Sequence, residues 1–306
     1  IRIRHRGSDA MQMPSRIGRY LIVGVSGQWT VGSQTVGWLY HGQGDADGRD
    51  VLIKTLPSPE GEYESAFRAR FEQEAKATAV QKHPNIVTLY ELGMHGDTPF
   101  LVFEWLKGRS LREAMNAGIS LKVGLPALVQ VLDALAYVHK TGIIHRNINP
   151  GCIFVCDDGL AKITDFFLAG LVHPTTIGSS MVAALAVPFY LSPELATGTA
   201  FDSRADLFSV GSVLYEMVTG RKPFDDSSKV GVLFKILTQE PDLGPIPDGP
   251  EWKQLRSVIT RALQKKPQDR YPDAAAMRDD LGAALKELGD SADWAPPPSG
   301  EPTDPH

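Results

Sequence analysis

Four stretches of the chain hold side chains whose types and spacing could do chemistry. Gly32-Ser33-Gln34-Thr35-Val36-Gly37 falls where two strand-like stretches double back. Glycines in such a turn supply positive φ and let a phosphate come close to the backbone. Val51-Leu52-Ile53-Lys54 is a strand-like run ending in one lysine, and Glu74 follows in a helix-like stretch. Further on lie His145-Arg146-Asn147-Ile148-Asn149-Pro150 and Asp165-Phe166-Phe167. The candidate chemistry is phosphate handling, and each part is weak alone: a hairpin glycine usually serves only its turn, and a strand lysine is usually a solvated charge. The two cysteines, Cys152 and Cys156, are too few for a disulfide framework and lack companions for a zinc site. A reducing compartment is the expectation.

The elements that must position these residues change texture once. From Tyr20 to about Leu106 the pattern is strand-like, with stretches at Tyr20 to Val25, Val36 to His41, Val51 to Thr55, Val87 to Leu92 and Pro99 to Trp105. One helix, Phe67 to Gln81, interrupts this five-stranded sheet. From Ser110 helices dominate, opening on the capping box Ser110-Leu-Arg-Glu113. Leu125, Leu128, Val131, Leu132, Leu135 and Val138 recur at helical spacing, as do positions from Ala205 to Thr219 before Gly220. Asp273 caps a last helix to about Leu288, and one hairpin, Ile153 to Cys156 with Leu160 to Ile163, breaks this half. The fold class is therefore α+β, with a sheet-rich small lobe and a mainly helical large one.

Composition removes other classes. The chain has 306 residues, a length suited to two domains or one two-lobed unit, with 31 Lys+Arg against 36 Asp+Glu and a net charge of −5. That balance argues against a nucleic-acid binder. No apolar run approaches the ~18–20 residues of a membrane span; the longest candidate, Met181 to Leu191, is interrupted by Pro188. Residues 1–12 have no pattern to pack and read as an expression remnant or disordered arm. Residues 290–306, with Pro296, Pro297, Pro298, Pro302 and Pro305, read as a linker or tail. The domain is expected over residues 13–289, dividing near 105/106.

The order of motifs is more specific than any one of them. After the glycine turn, Lys54 and Glu74 come His83-Pro-Asn-Ile86, the His145 loop, Asp165-Phe-Phe167, Ser192-Pro-Glu194, Asp206 and Arg270. The chain here resembles the eukaryotic-type (Hanks-type) protein kinase superfamily, most closely its bacterial Ser/Thr kinases, over about Ile17 to Leu288. The resemblance implies a bilobal phosphoryl-transfer scaffold in which positioning and electrostatics supply nearly all catalysis. It implies that Lys54 contacts the α- and β-phosphates and pairs with Glu74, and that Asp165 holds Mg²⁺. Gly32, Gly37, Leu39, Leu52 and Phe103 would surround a nucleotide, and Glu104-Trp-Leu106 would be the hinge. His145, Arg146, Glu194 with Arg270, and Asp206 would be structural.

The departures from the family pattern fall where the chemistry occurs. The family's loop reads His-Arg-Asp-Leu-Lys-Pro-x-Asn; here Asn147 stands for the carboxylate, Asn149 for the lysine and Cys152 for the second metal ligand. An amide is almost non-basic, and loss of the base corresponds to ~10²–10⁴ in rate, or about 3–5 kcal/mol. A soft thiol suits Mg²⁺ poorly. Leu52 replaces a family alanine that lies on the adenine, Gln34 replaces a glycine of the phosphate loop, and Phe167 replaces the glycine of Asp-Phe-Gly.

These features imply a pseudokinase that acts as a regulatory or scaffold module, requires no cofactor and binds ATP with Mg²⁺ weakly or not at all. An atypical active kinase or nucleotidyl transferase is the alternative. The implied partner is a protein, an active Ser/Thr kinase or its substrate, with homodimerisation left open. The implied location is cytoplasmic, alone or within a longer membrane-anchored protein. Thr175 and Thr176 are candidate sites of regulatory phosphorylation, with Arg146 holding the added charge.

Overall fold

A computed structural model describes residues 14–31, 34–56, 81–166 and 188–296, without the side chains of 29–31 and 34–36. The chain opens as an antiparallel sheet: β1 (Arg16–Ile17), β2 (Tyr20–Val31), β3 (Gln34–Gly44), β4 (Asp50–Thr55), β5 (Leu89–His95) and β6 (Thr98–Glu104). The strands lie in the order β1-β2-β3-β4-β6-β5. The sheet thus has six strands where the sequence suggested five, because Arg16 and Ile17 turn back at Gly18 to pair with Leu21 and Tyr20. A two-residue strand has no periodicity to read. The helix expected over Phe67 to Gln81 lies, up to residue 80, outside the described residues.

Alternation along the sheet sorts its two faces. Tyr40, Ile53 and Val102 pack with Ile17, Tyr20 and Phe100 on one side. On the other, the register sets Leu39 opposite Lys54 and Lys54 opposite Leu101, then His41 opposite Leu52 and Leu52 opposite Phe103. Cross-strand partners share a face. Leu39, Leu52, Lys54 and Phe103, four of the residues expected around a nucleotide, therefore project to the same side.

The helical lobe follows. β7 (Gly108–Ser110) leads into α1 (Leu111–Asn116), whose capping box is formed as expected: Ser110 Oγ accepts from the Glu113 N–H, and the Glu113 carboxylate accepts from the Ser110 N–H at 2.7 Å. Then come α2 (Leu121–His139), β8 (Ile153–Cys156), β9 (Ala161–Ile163), α3 (Pro193–Thr197), α4 (Arg204–Thr219), α5 (Lys229–Thr238), α6 (Lys253–Ala262) and α7 (Ala274–Leu288). The expected hairpin gains β7 as a third strand.

α4 is buried along its whole length from Ala205 to Thr219, so it is the axle of this lobe rather than one of its faces. α2 crosses it closely at Gly124, where a β-carbon would collide with the Met217 sulfur. α2 also corrects the membrane reading. Its 19 residues have a mean hydropathy of 1.5, long and apolar enough to cross a bilayer, but 56% of that stretch is buried in the lobe. Lys122, Gln130 and Asp133 break the run by eye without interrupting its apolar face.

The packed chain also runs past Leu288, where composition suggested a linker. Residues Gly289–Asp293 form a 3₁₀ turn, and Ala292 is buried in the main core.

Candidate active site

The frame of the site is a buried carboxylate. Asp206, in the first turn of α4, is fully buried and accepts from the backbone N–H of His145 at 2.9 Å, from that of Arg146 at 2.7 Å and from His139 Nε2 at 2.8 Å. Burial alone would push its carboxyl up; the His139 hydrogen bond and the backbone donor outweigh it and bring the acid below its ordinary range. His145 bonds through Nε2 to the Thr164 carbonyl at 2.8 Å and meets the Phe166 ring edge-on at 4.7 Å. Burial lowers the affinity of its imidazole for a proton, so it is held neutral. Arg146 and Asp165 are the two non-glycine described residues with positive φ, at 64° and 67°. Such conformations cost about 1–3 kcal/mol each and persist where surrounding bonds fix them.

A second anchor ties the far side of the lobe. Arg270 grips Glu194 with two bonds, 2.7 and 2.9 Å, and donates to the carbonyls of Gln264, Arg204 and Lys265. All five guanidinium donors are thereby used, at 2% exposure. The pairing expected from the sequence is present.

The tip of the loop on this frame turns its polar groups inward. Asn149 Oδ1 accepts from the Gly151 N–H at 2.8 Å, and Asn149 Nδ2 donates to the Asn147 carbonyl at 2.9 Å. Where a lysine would project a charge, the amide caps a 3₁₀ turn, Pro150–Cys152. The Cys152 thiol is buried, accepts from the Asn149 N–H at 3.3 Å and donates to the Asn149 carbonyl at 3.1 Å. Burial pushes its pKa up to about 12, so it stays protonated and is no ligand for a hard cation. The Asn147 side chain makes no hydrogen bond to another described residue, and it has no basic oxygen to offer.

The opposing wall is better preserved. Lys54, 5% exposed, donates to Asp165 Oδ1 at 2.9 Å. Its expected partner Glu74, together with Gly32, Phe167, Thr175 and Thr176, lies outside the described residues. Gly37 is described, opposite Trp29 in the β2–β3 hairpin. Leu52 and Leu106 pack onto the cluster of Leu56, Val87, Leu89, Leu101 and Phe103. At the hinge, Glu104 is fixed from both sides: its Oε1 accepts from the Thr88 N–H and from Lys162 Nζ, each at 2.7 Å. Trp105 stacks on His41 with centroids 4.1 Å apart.

For a metal the fit is partial. Asp165 offers one carboxylate, enough for a Mg²⁺ carried mainly by phosphate and water oxygens, whereas Cys152 cannot supply the second site. Among the described residues no group of three His, Cys, Asp or Glu is placed to hold an ion.

Several contributors were not found from sequence. His139, Lys162 and the buried Arg112–Glu216–Tyr190 network (Arg112 to Glu216, 2.7 Å) have partners 26 to 104 residues away. No local pattern announces such pairs.

Lys54 of the sheet thus reaches Asp165 of the helical lobe, next to the Thr164 carbonyl that holds the His145-Arg146 loop. The protein kinase domain model matches residues 27–281, and the chain belongs to that family. It is similar to the probable serine/threonine-protein kinase SCO3848 of Streptomyces coelicolor, 34% identical over 90% of this chain and 41% of the relative. It is also similar to the serine/threonine-protein kinase PknB of Mycobacterium leprae, 33% identical over 76% of this chain and 38% of that one. The chain thus spans about two-fifths of the length of these relatives. Among solved structures, the Mycobacterium tuberculosis PknI kinase domain superposes with a TM-score of 0.68 at 24% identity, over 90% of this chain and 100% of that one. This likeness bears out the bilobal α+β fold.

Proposed function

We propose that this kinase-family domain is a pseudokinase: a cytoplasmic regulatory or scaffold module in Ser/Thr phosphorylation signalling, with transfer chemistry lost and ATP binding weak or absent. The observation that carries the reading is the loop tip. Asn149 and Cys152 spend their polar groups on the loop's own backbone, and Asn147 presents a non-basic amide. The positions that would orient a hydroxyl, offset phosphoryl charge and bind a second Mg²⁺ supply none of these functions. Leu52, packed beside Phe103 and Leu106, adds bulk on the face where an adenine would lie. Overpacking of ~1–3 kcal/mol corresponds to roughly 5- to 150-fold weaker binding.

A thermal-shift titration with ATP, with and without Mg²⁺ or Mn²⁺, tests the nucleotide half of the reading. No stabilisation at micromolar ATP is expected; a clear rise there overturns weak binding.

The Lys54–Asp165 pair at 2.9 Å supports the second reading, an atypical active phosphotransferase or nucleotidyl transferase. Labelling from α- and γ-labelled ATP separates the two.

Protein partners fit either reading, an active Ser/Thr kinase or its substrate foremost. Arg146 supports regulation at Thr175 or Thr176, because its Nε is buried without a hydrogen-bond partner among the described residues while the guanidinium lies 5.1 Å from the Phe201 ring. A new phosphate would give that charge an anionic partner. Mass spectrometry after co-expression with the cognate kinase, finding no phosphate there, counts against it.

A further inference from the structure

The segment after Leu288 is bound to the helical lobe through Ala292, buried in the main core, and through Trp294. Trp294 Nε1 donates to the Val218 carbonyl at 3.0 Å. Val218 lies in the last turn of α4, where carbonyls have no partner within the helix. The Trp294 carbonyl accepts from the Leu121 N–H at 2.9 Å. Leu121 is the first residue of α2, and Ser120 before it provides no side-chain cap. Trp294 therefore satisfies a free acceptor at the end of one core helix and a free donor at the start of another. Its ring also meets Trp252 edge-on at 6.0 Å. Even so, Trp294 stays 38% exposed, held at its edges rather than enclosed. Trp294 itself lies outside the buried core that holds Ala292.

What lies beneath is polar and connected. Two residues after Trp294, Pro296 borders a small crevice lined by Arg112, Met115, Ile119, Glu216 and Met217. Glu216 sits two residues before Val218 on α4, is 2% exposed and is gripped by Arg112 at 2.7 and 3.2 Å. Both side chains also bond the Tyr190 hydroxyl, and Ser209 Oγ of α4 donates to the Tyr190 carbonyl at 2.7 Å. Tyr190 belongs to the turn Pro188–Tyr190, immediately after residues 167–187. The last turn of α4 is thus shared between Trp294 on one side and the holder of Tyr190 on the other.

We propose that residues 293–296 form a detachable strap: docked, Trp294 holds the last turn of α4 and, through Glu216 and Arg112, fixes Tyr190; undocked, it loosens Tyr190. The bistable element is the strap, and the group it biases is a buried hydrogen-bond network with no solvent to replace a lost partner. Anything that takes up the Trp294 side chain would loosen the hold on Tyr190.

Hydrogen–deuterium exchange on the full chain tests this with Trp294→Ala and with Trp294→Phe, which keeps one aromatic ring and loses the N–H. Exchange is expected to quicken by about 3- to 10-fold at Leu121 and in the last turn of α4, the scale of one net hydrogen bond. It should also quicken at residues 188–191 while the sheet over residues 20–55 is unchanged. Quickening confined to residues 289–296 and their direct contacts overturns the proposal, as does uniform quickening of both lobes. Combining Trp294→Phe with Arg112→Met gives a second readout: the fold-changes at 188–191 should be less than multiplicative, and independent, multiplicative effects contradict the coupling.

Discussion

The tip of the His145 loop and the buried floor of the helical lobe hold their polar groups in opposite ways. In the floor, Asp206 takes three donors and Arg270 spends all five of its own, each inside a closed network of buried partners. At the tip, the side chains of Asn149 and Cys152 bond to the loop itself. The difference separates two kinds of constraint. The floor is held by folding, because a buried charge stripped of its partner is expensive. The tip is held by chemistry alone, and substituting it costs the fold little.

The largest effect should therefore come from the floor. Arg270→Ala leaves the Glu194 carboxylate buried without its partner and should cost about 3–5 kcal/mol, read as a lower urea midpoint. Should it prove neutral, the floor is not what holds the lobe. Asn149→Ala at the tip removes two hydrogen bonds at a partly exposed cap, and about 1 kcal/mol is expected by the same titration. A cost equal to that of Arg270→Ala would erase the contrast.

Lys265 sharpens the comparison from another side. Its Nζ is buried beside the Phe224 ring with no hydrogen-bond partner, and burial brings its pKa from 10.5 down to about 8. A folded-state pKa below the unfolded one means that the unfolded chain binds more protons between these values, so stability rises as pH climbs from about 8 to 10.5. Lys265→Met should raise Tm at pH 7 and lose that advantage toward pH 10.5; a pH-independent difference contradicts it. Smallest of all, Asp202→Ala breaks an exposed pair with Arg204 and should change stability by less than about 0.5 kcal/mol in the same melts.

Much of the floor was legible because its residues sit in recognisable surroundings: Glu194 in Ser-Pro-Glu, Asp206 opening a helix, Arg270 before the last helix. The departures from the family pattern were legible by position as well, since Asn147, Asn149 and Cys152 interrupt an otherwise matching run. What the sequence could not convey was where those side chains went. Nothing in Asn149-Pro150-Gly151-Cys152 says that the thiol would fold back on the Asn149 carbonyl. Nor could composition place Trp294. A single tryptophan among prolines and acids reads as linker, and its value appears only beside two helix ends 173 and 76 positions away in sequence, the starts and ends of α2 and α4. The sixth strand failed for a simpler reason, being two residues long.

The account's central claim is that the loop tip no longer supports transfer. The most direct measurement is phosphate incorporation from γ-labelled ATP into generic protein substrates, comparing the native chain with Asp165→Ala. The account predicts incorporation at background in both, with no difference between them. Robust turnover by the native chain, abolished by Asp165→Ala, would contradict it.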